Sequence, residues 1–224
     1  MRIAFTRKYE WALLPAKHRI PPPPDESAMY ERNFRWVRQP RRAERCGPWR
    51  LGSDLGWIVR SPVDICLTPV HDVQVAGFEG ELTAFWQATG FEEVWPRPNG
   101  ATAVRRTGWL RLYDIATEDG WRSMFVPNGD GSVEWHLGWE MEFPDTHFVL
   151  VLPADVPSGL EVPTGVLNHR AVQRLNAATG FSVAIRPHRT VRLKRGQPFA
   201  RVVLLHPDSI KATAVEAGPE EEGG

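Results

Sequence analysis

The chain has 224 residues, with 27 basic side chains balanced by 27 acidic ones. That balance removes the overall electrostatic argument for a nucleic-acid or anionic-membrane partner. Two cysteines, Cys46 and Cys66, are too few for a disulfide framework and are not spaced as a metal-ligand pair.

The length suits one main domain with appendages and allows a real core without disulfides or a structural metal. Residues 1–48 read as an N-terminal arm and linker. The opening "MRIAFTRKYE" reads as a strand rather than a signal peptide. No segment approaches the roughly 20 apolar residues of a membrane span. A soluble, reduced, cytoplasmic protein without a membrane partner is expected. Pro21 to Pro24 exclude helix and predict a polyproline-type connector lying across the main body. Asp25 is placed to cap a short helix through Tyr30, and "NFRWVRQ" turns extended again. The segment "RWVRQPRRAERCGPWR" (35–50) sets a run of arginines against the single Glu44. It reads as a solvated basic loop, or as a surface for phosphates, an acidic substrate or an acidic neighbour.

Residues 49–210 read as the β domain. Short runs rich in β-branched and aromatic residues follow one another at spacings of about 10 residues, divided by Gly, Pro, Asn and Asp. They are "GWIVRS", "VDICLTPV", "DVQVAG", "GWLRLYDI", "RSMFVP", "SVEWHLGWEMEF", "HFVLVLP", "FSVAIRP", "RTVRLKR" and "FARVVLLHP". The pattern predicts an all-β fold, a jelly-roll or cupin-like barrel or sandwich with two short helices, rather than an alternating βα fold. "PNGDG" (127–131) predicts a hairpin turn, because Asn and Gly tolerate positive φ. The two helices, "ELTAFWQATGF" and "AVQRLNAATGF", end alike. In each, Gly90 or Gly180 takes the left-handed position, and Phe91 or Phe181 folds back on Trp86 or Leu175. Capping explains the shared "ATGF"; a duplicated half-domain is the sharper alternative. The tail 211–224, ending "EAGPEEEGG", has nothing to bury and is expected to be disordered.

The chemistry concentrates in "GSVEWHLGWEMEFPDTH" (131–147). Read as a strand, Val133, Trp135, Leu137, Trp139, Met141 and Phe143 share one apolar face, while Glu134, His136, Gly138, Glu140 and Glu142 share the other. The polar face is either the wet side of an antiparallel sheet or the mouth of a barrel. Glu134, His136 and Glu140 form E-x-H-x-x-x-E, which resembles the first metal-binding motif of the cupin superfamily, H-x-H-x-x-x-E, with glutamate for the first histidine. A bulge or bend must gather them. The resemblance implies a divalent metal, and mixed N/O ligation suits Fe, Mn or Zn. A second such motif is echoed by Pro163, Gly165 and His169 in "GLEVPTGVLNH", one residue too long between Gly and His. The implied ligand set is Glu134, His136, Glu140 and His169, with Glu134 and Glu140 as the catalytic carboxylates. Locally, Asn168 instead reads as an N-cap with His169 opening a helix, whose N-terminus repels cations.

His147, His188 and His206 read as structural or exposed. No G-x-S-x-G, P-loop or dinucleotide fingerprint is present, and Cys46 beside arginines is the candidate for a lowered thiol pKa. Trp49, Trp57, Trp95, Trp109 and Trp121 stand near turns, as core lids or as platforms for a ligand. From about Trp49 to Pro207 the chain also resembles an uncharacterised bacterial family of β-rich domains. The shared features are Gly56-Trp57, Ser61-Pro62, "HLG" at 136–138 for the family's H-F-G, "LPAD" at 152–155 for G-P-x-N, and "PTG" at 163–165. "FSVAIR" at 181–186 and "VRLKRGQPF" at 191–199, for V-x-F-x-x-G-x-P, complete the likeness. The chain departs from it at Asn168 to Ala171, where the family carries E-x-D-W, and lacks the family's Asn-Trp pair in the strand of Ile185. The likeness implies a β architecture and gives His136 added interest, but supplies no activity.

Three functions stay open. The first is a small-molecule enzyme, divalent-metal-dependent in its cupin-like form. The second is a noncatalytic binding module or homo-oligomeric assembly module. The third is a metal-free acid–base cyclase or isomerase.

Overall fold

The computed structural model describes residues 2–18, 46–76, 91, 93–98, 100–105 and 108–214. The polyproline connector, the helix expected at 25–30, most of the arginine-rich segment, the first "ATGF" helix and the last ten residues of the tail lie outside these. Among the described residues the fold is all-β, with seventeen strands and three short helices. Among the same residues no helix is long and apolar enough to cross a membrane.

Two four-stranded antiparallel sheets make the body. The first runs in the order β13 (Leu160–Glu161), β15 (Ser182–Pro187), β10 (Ser132–His136), β9 (Phe125–Gly129). The second runs β14 (Gly165–Asn168), β12 (Phe148–Pro153), β17 (Pro198–Leu205), β2 (Trp57–Arg60). Their apolar faces meet where the Trp135 ring of β10 stacks on Phe199 of β17, centroids 4.8 Å apart. Both rings are fully buried, and truncating such a ring to alanine costs roughly 3–5 kcal/mol. The alternation read from 133 to 143 explains this: all six odd-numbered side chains are buried.

Smaller ribbons close the edges. β1 (Ala4–Arg7) pairs with β11 (Trp139–Glu142), β3 (Ile65–Leu67) with β16 (Val191–Leu193), and β7 (Asp114–Thr117) with β8 (Gly120–Ser123). A three-stranded sheet is ordered β4 (Asp72–Ala76), β6 (Gly100–Val104), β5 (Glu93–Arg97). The strand of the N-terminal arm therefore belongs to the body, where Phe5 packs edge-on against Trp57 and Trp139. The hairpin at "PNGDG" joins β9 to β10, with Gly129, Asp130 and Gly131 all at positive φ.

One local expectation changes. "GWLRLYDI" opens as a 3₁₀ turn over Gly108–Arg111 instead of a strand. Trp109 and Leu110 are buried there, with the Trp109 indole N–H 3.1 Å from the Thr68 carbonyl. The helix expected at "AVQRLNAATGF" is α2 (His169–Ala177), flanked in the chain by α1 (Gly47–Asp54) and α3 (Pro207–Lys211). Asn168 caps α2, its side-chain oxygen accepting the Ala171 N–H at 2.8 Å. Gly180 follows at φ 90, where a Cβ would lie 2.8 Å from the Trp139 carbonyl oxygen. Phe181 stacks on the Trp139 indole at 4.6 Å.

Candidate functional site

The decisive local feature is the end of β10. After His136 the Leu137 N–H donates to the Phe181 carbonyl, and Gly138 turns the chain at φ 71. A Cβ on Gly138 would lie 2.5 Å from the Trp11 ring, so the indole occupies the space a larger residue needs. The run expected as one strand is thus two, β10 in the first sheet and β11 beside β1.

This break separates the four expected ligands. Glu140 is salt-bridged to Lys8, Nζ to Oε1 3.1 Å. His169 opens α2, edge-on to Phe143 at 5.3 Å, with Nε2 3.4 Å from Gln173 Nε2. Glu134 and His136 stay together on β10. Among the described residues no three His, Cys, Asp or Glu side chains are grouped to hold a metal ion. The cupin-like set of Glu134, His136, Glu140 and His169 does not assemble, because the chain turns at Gly138 rather than bending its polar face inward.

What the fold builds around Glu134 and His136 is a polar cluster. In the antiparallel register His136 faces Ser182 and Glu134 faces Ala184. The Ser182 hydroxyl donates to Glu134 Oε1. Thr179, three residues earlier, places Oγ1 2.6 Å from His136 Nδ1. Thr179 and Ser182 are themselves buried, at 4% and 7% exposure. Burial holds the His136 imidazole below its ordinary pKa, and the Glu134 carboxylate pulls the other way without prevailing. His136 is therefore neutral at neutral pH, with one ring nitrogen fixed by a hydroxyl and a carboxylate close enough to stabilise the imidazolium when a proton arrives.

Asn176 locks the adjoining segment. From α2 its Oδ1 accepts the Met141 N–H at 3.2 Å and its Nδ2 donates to the Met141 carbonyl at 2.9 Å, so a buried side chain substitutes for a neighbouring strand. Lys8 Nζ also donates to the Asn176 carbonyl at 2.5 Å, linking β1, β11 and α2.

The remaining candidates disperse. His188 Nε2 lies 2.7 Å from Glu161 Oε2 on the protein surface, and His147 packs edge-on against His206. Both cysteines are free and exposed. Trp109 is core, whereas Trp49 and Trp121 are exposed. An open groove of about 610 Å³ lies elsewhere, lined by residues of β3 and β16 and not by His136. Acid–base chemistry needs the reactive groups before it needs volume, which makes the His136 cluster the candidate site. Thr179 and Ser182 were not singled out from sequence. Ser182 had a signal in the alternation of β15, but Thr179 had none beyond following a helix. No family model matches the chain, and no curated protein matches it.

Proposed function

We propose that the protein is a metal-free acid–base enzyme acting on a small molecule, by cyclisation or isomerisation, with His136 and Glu134 as its working pair. The observation that carries this is the mostly buried, neutral imidazole held by the Thr179 hydroxyl beside a carboxylate. A desolvated titratable group with a specific charged neighbour is the arrangement expected of a proton-transfer site. His136 takes the proton, Glu134 stabilises the cation formed, and Ser182 fixes the carboxylate in place. Glu140, committed to Lys8, contributes no step. The likeness to the bacterial β-rich family fits this reading, since the glycine of its H-x-G run is the residue that ends β10 just after the histidine. The jelly-roll form of the sandwich, and a reducing cytoplasmic setting for the two free thiols, belong to the same proposal.

The test combines binding and turnover. Protein labelled at its histidine rings is screened by NMR against pooled small molecules, and compounds that move the His136 resonances are assayed for conversion by mass spectrometry. His136→Gln should lower turnover about 10²–10⁴-fold while the fold is retained. Binders that shift His136 yet return unchanged from the wild-type protein at every pH would refute catalysis.

A noncatalytic assembly module is the second reading, favoured by α1. That helix buries no residue, and Trp49, Leu51 and Leu55 are exposed on and just after it. Light scattering of the wild type and of Trp49→Ser/Leu51→Ser decides it: a homo-oligomer that the double substitution dissociates is the expected outcome for assembly.

A further inference from the structure

β3 and β16 form a ribbon whose Ile65, Leu67, Val191 and Leu193 face the core. Alternation then turns Cys66 and Arg192 outward, directly opposite each other in the register, with Asp64 and Lys194 continuing the same face. Beside this ribbon the chain leaves the 3₁₀ turn through Leu112, 70% exposed, and Tyr113. The Tyr113 hydroxyl donates to the Asp64 carbonyl, which ties the two walls together. These six residues border the open groove of about 610 Å³, within the range of roughly 300–1,000 Å³ usual for small-molecule sites.

Charge selects the occupant. The Asp64 carboxylate accepts the backbone N–H of Arg195 at 2.8 Å, and the Arg195 guanidinium is turned away onto the carbonyls of Trp11 and Pro62. Among the described residues Arg192 and Lys194 have no carboxylate partner. Two cations and one carboxylate leave the groove one net positive charge, which matches a monoanion. Leu112 and the Tyr113 ring supply apolar surface next to it, and an exposed leucine gains by being covered. An arginine fork fits a carboxylate with two parallel hydrogen bonds.

We propose that this groove binds a small amphiphilic carboxylate. Arg192 and Lys194 take the carboxylate head, and Leu112 and Tyr113 cover the apolar body. The site shares no residue with the His136 cluster, so its test bears on the groove alone.

Cys66 reports occupancy, because its thiol lies in the floor. With Cys46→Ser as background, Cys66 is the single thiol, and its alkylation by iodoacetamide is followed by mass spectrometry. The probes are octanoate, octanol and acetate at matched concentrations. Octanoate is expected to protect Cys66 saturably and the other two to protect little. Arg192→Gln and Lys194→Gln should each raise the half-protecting octanoate concentration about tenfold, the equivalent of about 1.4 kcal/mol. The half-protecting concentration is the readout because removing a cation also alters the intrinsic thiol rate. Equal protection by octanol overturns the role of the cations, and equal protection by acetate overturns the role of the apolar wall. No protection by octanoate, or unchanged protection in both variants, overturns the site.

Discussion

Replacing Thr179 by valine tests whether His136 is held as described. Valine is close to threonine in shape but removes the hydroxyl 2.6 Å from His136 Nδ1, at a position only 4% exposed. The ring nitrogen then loses its partner where water has little access, and an unpaired buried polar atom costs about 1–3 kcal/mol. For a chain of this length each kcal/mol lowers Tm by roughly 2–4 °C, so a drop of several degrees is expected. The sharper measurement is a double-mutant cycle by urea denaturation, with His136→Phe as the second substitution. His136→Phe alone strands the Thr179 hydroxyl, whereas the double variant strands neither group. It should therefore be less destabilised than the sum of the single variants, by a coupling of about 0.5–3 kcal/mol. Effects that add to within about 0.5 kcal/mol would refute the contact, and with it the derivation of a fixed, neutral imidazole.

The pH dependence follows from the same group. The unfolded imidazole takes its proton near 6.5, and burial lowers the folded value below that. The unfolded chain thus binds more protons in the interval between the two, and stability rises with pH there. The contribution of His136 is fully present above pH 6.5 and is lost as pH falls through the lowered folded value. Urea midpoints between about pH 5 and 7 should fall toward acid in the wild type and less steeply in His136→Phe; identical slopes would count against it. Asn176→Leu removes both hydrogen bonds to the Met141 backbone and should cost about 2–4 kcal/mol, since two buried groups lose partners. Chemical denaturation checks it, and a variant as stable as the wild type would show that the side chain is dispensable.

The division of faces from Val133 to Phe143 was legible because it depends only on the two-residue period, which survives the turn at Gly138. The turn itself was not. Glycine on a wet face looks like any other small residue, and what demands it here is the Trp11 ring, delivered by the N-terminal arm. The helix start at His169 was readable from Asn168, since capping is local. The partnership of His136 with Thr179, 43 residues away, was not, because it depends on how α2 docks. β5 and β6 escaped notice for a different reason. Pro96, Gly100, Ala101 and Ala103 dilute the β-branched signal, and only the pairing with β4 shows that they belong to a sheet. The strand expected at 108–115 begins only at Asp114, because burying Trp109 and Leu110 next to each other requires a turn, not alternation.

The pairing of β1 with β11 also bears on how the molecule is made. Lys8 and Glu140 are 132 residues apart in the chain. A ribosome adding about 5–20 residues per second brings out the partner segment roughly 7–26 s after the first strand has emerged. Throughout that interval Phe5 has no Trp139 to pack on, and the carbonyl of Gly138 that later receives the Lys8 and Tyr9 N–H groups does not yet exist. β1 therefore has to wait for β11, and a nascent chain stalled before Trp139 carries Ala4–Arg7 as a strand without its partner.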